Sequence, residues 1–97
     1  MRCDCYQSNH EGDLVDMIQD CLDTYDAIVI NPGAYGSSGA LRDAIRAIPV
    51  PTVEVHRHGQ SGIDEVGTAC IDTTYGLGSD GYRVAILGIA KHLSHSK

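Results

Sequence analysis

Ala27-Ile28-Val29-Ile30 is an unbroken apolar run closed by the turn formers Asn31-Pro32-Gly33, and no other segment constrains the fold as much. Four apolar residues in a row leave no polar face, so a strand built from them must be covered on both sides. Helices have to supply that cover. Leu41, Ala44, Ile45 and Ile48 follow at helical spacing, with Ser37 or Ser38 as cap, and Pro49 and Pro51 stop the helix. Thr52-Val53-Glu54-Val55 then reads as the next strand and delivers His56 at its C-terminal end. Strand, helix and strand of this kind imply parallel pairing in an α/β fold.

The same logic extends in both directions. Arg2 to Gln7 alternates as a strand, and Ser8 with Glu11 has the offset of a capping box. Behind it Leu14, Val15, Ile18, Cys21, Leu22 and Tyr25 form one helical stripe, while Asp13, Asp16, Asp20 and Asp23 hold the solvated face. Beyond His56, Arg57 to Gly67 reads as a loop and Thr68 to Thr74 as a strand with Cys70 in it. The turn Gly76-Leu77-Gly78 leads to a last helix from Ser79 or Asp80, with Tyr82, Ala85, Ile86, Ile89, Ala90 and Leu93 on one face. The expected order is β-α-β-α-β-loop-β-α in a single domain over residues 1–97. Right-handed crossovers would align the strand C-termini along one edge, where open α/β sheets bind ligands. Asn31 and His56 both belong to that edge and are expected to converge on a pocket there. Glu54 would lie on the opposite side of its strand from His56 only if the strand ran regularly.

Charge narrows the partners. The 97 residues carry 13 acidic and 7 basic side chains, a formal charge of -6, which repels nucleic acid and anionic membranes alike. The sequence shows neither a basic-then-apolar leader nor the roughly 20 apolar residues of a membrane span, so a cytoplasmic chain is expected. A domain this short buries a modest core, and self-association would add stability. Cys3, Cys5, Cys21 and Cys70 lack the spacing of a disulfide framework and read as reduced, apolar side chains. His56 and His58, with Asp64 or Glu65 nearby, fall short of the three protein ligands of a catalytic zinc, so no metal or other cofactor is expected. Asn31-Pro32-Gly33 is a tight turn or, ahead of Ser37 and Ser38, a cradle of backbone N–H groups for a carboxylate. His10, His92 and His95 read as surface residues.

Several segments resemble one family. Gln7-Ser8-Asn9-His10-Glu11-Gly12, Val29-Ile30-Asn31-Pro32-Gly33-Ala34-Tyr35 with Ala40-Leu41-Arg42-Asp43-Ala44, Val53-Glu54-Val55-His56, and Gly76-Leu77-Gly78 with Gly81-Tyr82 are similar, in order and spacing, to type II 3-dehydroquinate dehydratases. The resemblance implies a flavodoxin-like three-layer sandwich with a parallel sheet, often assembled from trimers into a dodecamer. It also implies a lyase that removes water from 3-dehydroquinate through an enolate, a step of aromatic amino acid biosynthesis. Such chemistry needs a base, donors facing an oxyanion and an acid for the departing hydroxyl. By similarity His56 matches the general acid, Asn31 a ligand of a substrate hydroxyl, and Asp43 a residue working at a subunit contact. Arg57 and His58, next to His56, are the remaining candidates for binding the substrate.

The departures are specific. The family begins with a strand and a mobile loop bearing a catalytic tyrosine and arginine, and this sequence is read as starting after both. Gly36-Ser37-Ser38-Gly39 lacks the family's substrate-binding histidine, and where the family has Leu-Ser and later a substrate-binding arginine this sequence has Arg57-His58 and a different stretch from Gly59 to Gly67. Tyr35 and Tyr75 are the tyrosines to compare with the absent base, core or surface positions being the plainer reading of each. The absent first strand would lie between Arg2–Gln7 and Ala27–Ile30, so those two strands pair directly or another chain fills the place. Two functions therefore compete: the dehydratase, and an impaired relative that acts as a ligand-binding or assembly module completed by a partner chain.

Overall fold

A computed structural model of the chain describes residues 8, 10–56, 64–77 and 80–95. The expected strand at Arg2–Gln7 lies outside them. The described elements are α1 (Glu11–Asp20), β1 (Ile28–Ile30), α2 (Gly39–Ala47), β2 (Thr52–His56), β3 (Asp72–Tyr75) and α3 (Asp80–His95), with short 3-10 turns at Gly33–Tyr35 and Gly67–Ala69.

The strands form a parallel sheet in the order β1-β2-β3. Ile30 is the Cα partner of Glu54, and His56 that of Tyr75, so the carboxyl ends of the strands share one edge. Parallel strands need cover on both faces, and both receive it. On one face Ile18 of α1 and Leu41, Ala44 and Ile45 of α2 pack with Ile30 and Val66. On the other, Ala85 and Ile89 of α3 pack with Val53 and Val55. The result is a three-layer α/β sandwich. β2 is its centre, with all five residues buried.

Local chemistry explains the element ends. Ser38 is the N-cap of α2, and its hydroxyl accepts from the Leu41 N–H at 3.0 Å. Gly33 has φ 56, a left-handed conformation that lets the chain turn sharply after Asn31-Pro32.

Four local expectations need correction. The capping box at Ser8 and Glu11 does not form: α1 begins after His10, and the Ser8 hydroxyl instead accepts from the His10 N–H and donates to Asp13. The apolar stripe outruns its helix, because α1 ends at Asp20 in a tight turn that leaves Leu22 46% exposed. Thr68 to Ile71 is not strand: Asp64 caps a 3-10 turn through the Gly67 N–H at 2.8 Å, and β3 starts only at Asp72. Cys70 therefore ends that turn, still packed against the α1–α2 core. Ile86, expected on the inward face of α3, is 37% exposed.

Candidate active site

β2 alternates across the sheet: Val53 and Val55 point into the α3 layer, so Glu54 and His56 point together towards the α1–α2 side. The expectation that a regular strand would put Glu54 across from His56 is wrong, because residues two apart share a face. The His56 Nε2 is 3.1 Å from the Glu54 Oε2 and 3.2 Å from the Asp64 Oδ2. All three side chains are enclosed, with 8%, 0% and 13% of their surface exposed for His56, Glu54 and Asp64.

Each member is anchored from behind. Asp64 Oδ1 accepts from the Gly67 N–H, and Glu54 Oε1 accepts from the Thr73 hydroxyl at 3.4 Å. The Tyr75 ring stacks on the imidazole with centroids 5.5 Å apart and planes 7° from parallel. Gly36 leaves the room that Asp64 occupies, since a Cβ there would collide with the Asp64 carboxylate. The Val66 N–H bond to the Gly36 carbonyl at 2.9 Å ties the two loops together.

This packing reshapes the acidities. Burial, then the facing Asp64 carboxylate, pushes Glu54 up to about 8, partly offset by the Thr73 hydroxyl. Cys70 is pushed up to about 12 by burial, with Glu54 and Asp64 adding to the effect. Tyr75 is raised by desolvation and then by the same two carboxyls. Near neutral pH Glu54 therefore carries its proton. An enclosed imidazole between two carboxyl groups can hold and pass on a proton.

The remaining predicted residues are distributed around this centre. Asn31 stands at the carboxyl end of β1, on the same edge as His56, but its side chain turns to the opposite face. Its Nδ2 donates to the Tyr82 hydroxyl of α3 at 2.9 Å, and its Oδ1 accepts from the Gly33 N–H at 3.0 Å. Asp43 is exposed on α2, 67% by side chain, and is held at 3.0 Å by Arg42 Nε, which keeps its carboxyl below the usual range. Arg42 also reaches Glu65 at 2.7 Å, pinning the segment that carries Asp64. Arg57 and His58 lie outside the described residues. Tyr35 packs against the α1–α2 core. A separate groove lies between β3 and α3, lined by Ile71 and Val84 together with Asp72, Thr74 and His92. Among the described residues the grouping of three metal-ligating side chains is the one at the carboxyl edge of β2.

Glu54, which the sequence offers only inside the Val53-Glu54-Val55-His56 motif, and Asp64, which it offers only as a residue near a histidine pair, join His56 at the site. A signal was present for Glu54: an acid flanked by valines in a buried strand, two residues from a histidine, has to share that histidine's face. Asp64 carried no such signal, since only the folded 3-10 turn brings it back across the strand.

The dehydroquinase class II family model matches residues 1–90. The 3-dehydroquinate dehydratase of Campylobacter jejuni is 43% identical over 93 residues, covering 89% of this chain and 58% of that protein. That of Rhodopseudomonas palustris is 46% identical over 98 residues, covering 93% and 65%. The crystal structure of type II dehydroquinase from Butyrivibrio crossotus superposes with a TM-score of 0.80 at 38% identity, over 86% of this chain and 63% of that one. The chain thus spans less than two thirds of the length of these relatives. Its motifs, its parallel sheet and the family model agree: the chain belongs to the class II dehydroquinase family.

Proposed function

We propose that this chain acts in the removal of water from 3-dehydroquinate to give 3-dehydroshikimate through an enolate. The observation that carries the reading is the buried Glu54–His56 pair at the carboxyl edge of the central strand, inside a sequence that matches the family across residues 1–90. In this scheme a base removes the proton next to the ketone, and the enolate then expels a hydroxyl that takes its proton from His56. Glu54 holds the imidazole. By its match to the family Asn31 meets a substrate hydroxyl at the strand edge, which requires its side chain to leave the Tyr82 hydroxyl; Asp43 works from a neighbouring copy, and Arg57 and His58 meet the substrate carboxylate.

The chain is read as working in the cytoplasm as a homo-oligomer built on trimers, up to a dodecamer. No helix among the described residues is long and apolar enough to cross a membrane. Exposed Ile71, Val84 and Leu87 give copies of the chain an apolar surface to share.

The test is direct. Incubation with 3-dehydroquinate should produce the absorbance of a conjugated enone, and His56→Ala should lower the rate by about 10²–10⁴, the usual contribution of a general acid. Absence of product, under conditions where a full-length family member yields it, would overturn the assignment.

A further inference from the structure

Three buried atoms, Glu54 Oε2, His56 Nε2 and Asp64 Oδ2, have no hydrogen-bond partner among the described residues, although His56 Nε2 is 3.1 and 3.2 Å from the two oxygens. Those contacts are close yet misaligned for N–H···O bonds. The ligating atoms of the three residues all lie within 4.8 Å of one another. Two carboxyl groups and an imidazole enclosed together cost free energy unless protons or a cation compensate them.

We propose that Glu54, His56 and Asp64 form a binding site for a divalent first-row transition cation, with one nitrogen and two oxygen ligands. Ligands about 2.1 Å from a zinc-like ion and about 90–110° apart stand about 3.0–3.4 Å from each other. Both measured contacts, 3.1 and 3.2 Å, fall in that range. Each ligand is also fixed through an atom that does not face the centre. The Gly67 N–H holds Asp64 Oδ1, the Thr73 hydroxyl holds Glu54 Oε1, and Tyr75 sets the plane of His56. Outer contacts of this kind orient metal ligands.

A set of imidazole and carboxylates without sulfur suits zinc, manganese or iron(II) rather than a soft cation. Three protein ligands leave a position open for water or an oxygen of a small acid. With His56, Glu54 and Asp64 complete the three protein ligands that a His56–His58 pair alone does not supply. His56 cannot bind a cation and donate a proton from the same nitrogen. The loaded chain is therefore inert in the proposed dehydration, and that clause alone rests on the functional reading above.

The probe is Co²⁺ added to chelator-stripped, reduced protein. One equivalent should bind with the d–d absorption of a nitrogen–oxygen site and no thiolate-to-cobalt charge transfer. In the native chain the proton NMR signals of His56 and Tyr75 should broaden before those of His92 or His10. Glu54→Gln and Asp64→Asn should each weaken binding more than about tenfold, a loss already typical of outer-shell changes. Asp16→Asn, on the exposed face of α1, should bind as the native chain does. Non-saturable binding, thiolate bands, unchanged affinity in the two folded variants, or first broadening at another histidine would each overturn the site. Circular dichroism checks that the variants fold, and where they do not, the NMR of the native chain decides. Dehydratase activity is assayed separately, so loss of one reading leaves the other standing.

Discussion

Glu54 sits in the middle of β2 with no exposed surface, and its acidity carries a stability consequence. Its folded value of about 8 lies above the ordinary 4.5. Between those values the folded chain holds a proton that the unfolded chain has released, so stability falls as pH rises from about 5 to about 8 and levels off above. With chelator present, urea midpoints measured across that window should decline for the native chain and stay flat for Glu54→Gln. Equal slopes would refute the buried, protonated carboxyl. Cys70 offers a second check. A thiol pushed up to about 12 is almost entirely protonated at pH 8, so iodoacetamide should label it far more slowly in the folded chain than in urea. Equal labelling rates would place Cys70 outside the core. His56 could be singled out from the sequence because its neighbours form a recognisable motif. Asp64 could be named only as one of two acids near the histidines, since a loop residue's approach depends on how residues 64–70 coil, and that coil is held by bonds that have no periodicity to read.

At the scale of elements, the periodic segments were legible and the irregular ones were not. Val53 and Val55 declare a buried strand by type and position, and the α2 stripe declares its inward face. The start of β3 was misplaced because Thr68 to Cys70 has strand-like composition but is capped into a 3-10 turn by Asp64. The loop that holds Gly36 packs tightly against the loop that holds Asp64. The Gly36 backbone, with φ -59, is one that alanine adopts freely, so Gly36→Ala should by entropy alone gain about 0.4–1 kcal/mol. The added Cβ would instead collide with the Asp64 carboxylate, and overpacking of this kind costs about 1–3 kcal/mol. Gly36→Ala should therefore destabilise the chain, and Asp64→Ala should lose its own effect in that background, a coupling that a double-mutant cycle measures. Additive effects would show that the two residues do not meet. The cap of α2 makes a simpler case: Ser38→Ala removes the acceptor of the Leu41 N–H and should cost about 1 kcal/mol, or about 4–8 °C in Tm.

For the whole molecule, the two faces of the sheet are unequally finished. The α1–α2 side closes over the His56 cluster, whereas α3 leaves Val84 and Leu87 exposed beside Ile71, which precedes β3 at the sheet edge. A chain of 97 residues has limited means to bury apolar surface by itself, and among the described residues β3 lies at the edge of the sheet. Covering that surface with further copies would satisfy both demands. Sedimentation of the native chain should thus give a mass several times 10.4 kDa. Leu87→Lys with Val84→Lys puts two strongly hydrated charges on the α3 surface without touching Ala85 or Ile89, the residues that pack on the sheet. The double variant should keep its helical circular dichroism and sediment as a smaller species. If the native chain sediments as a monomer at tens of micromolar, or the double variant keeps the native mass, this face is not where copies meet.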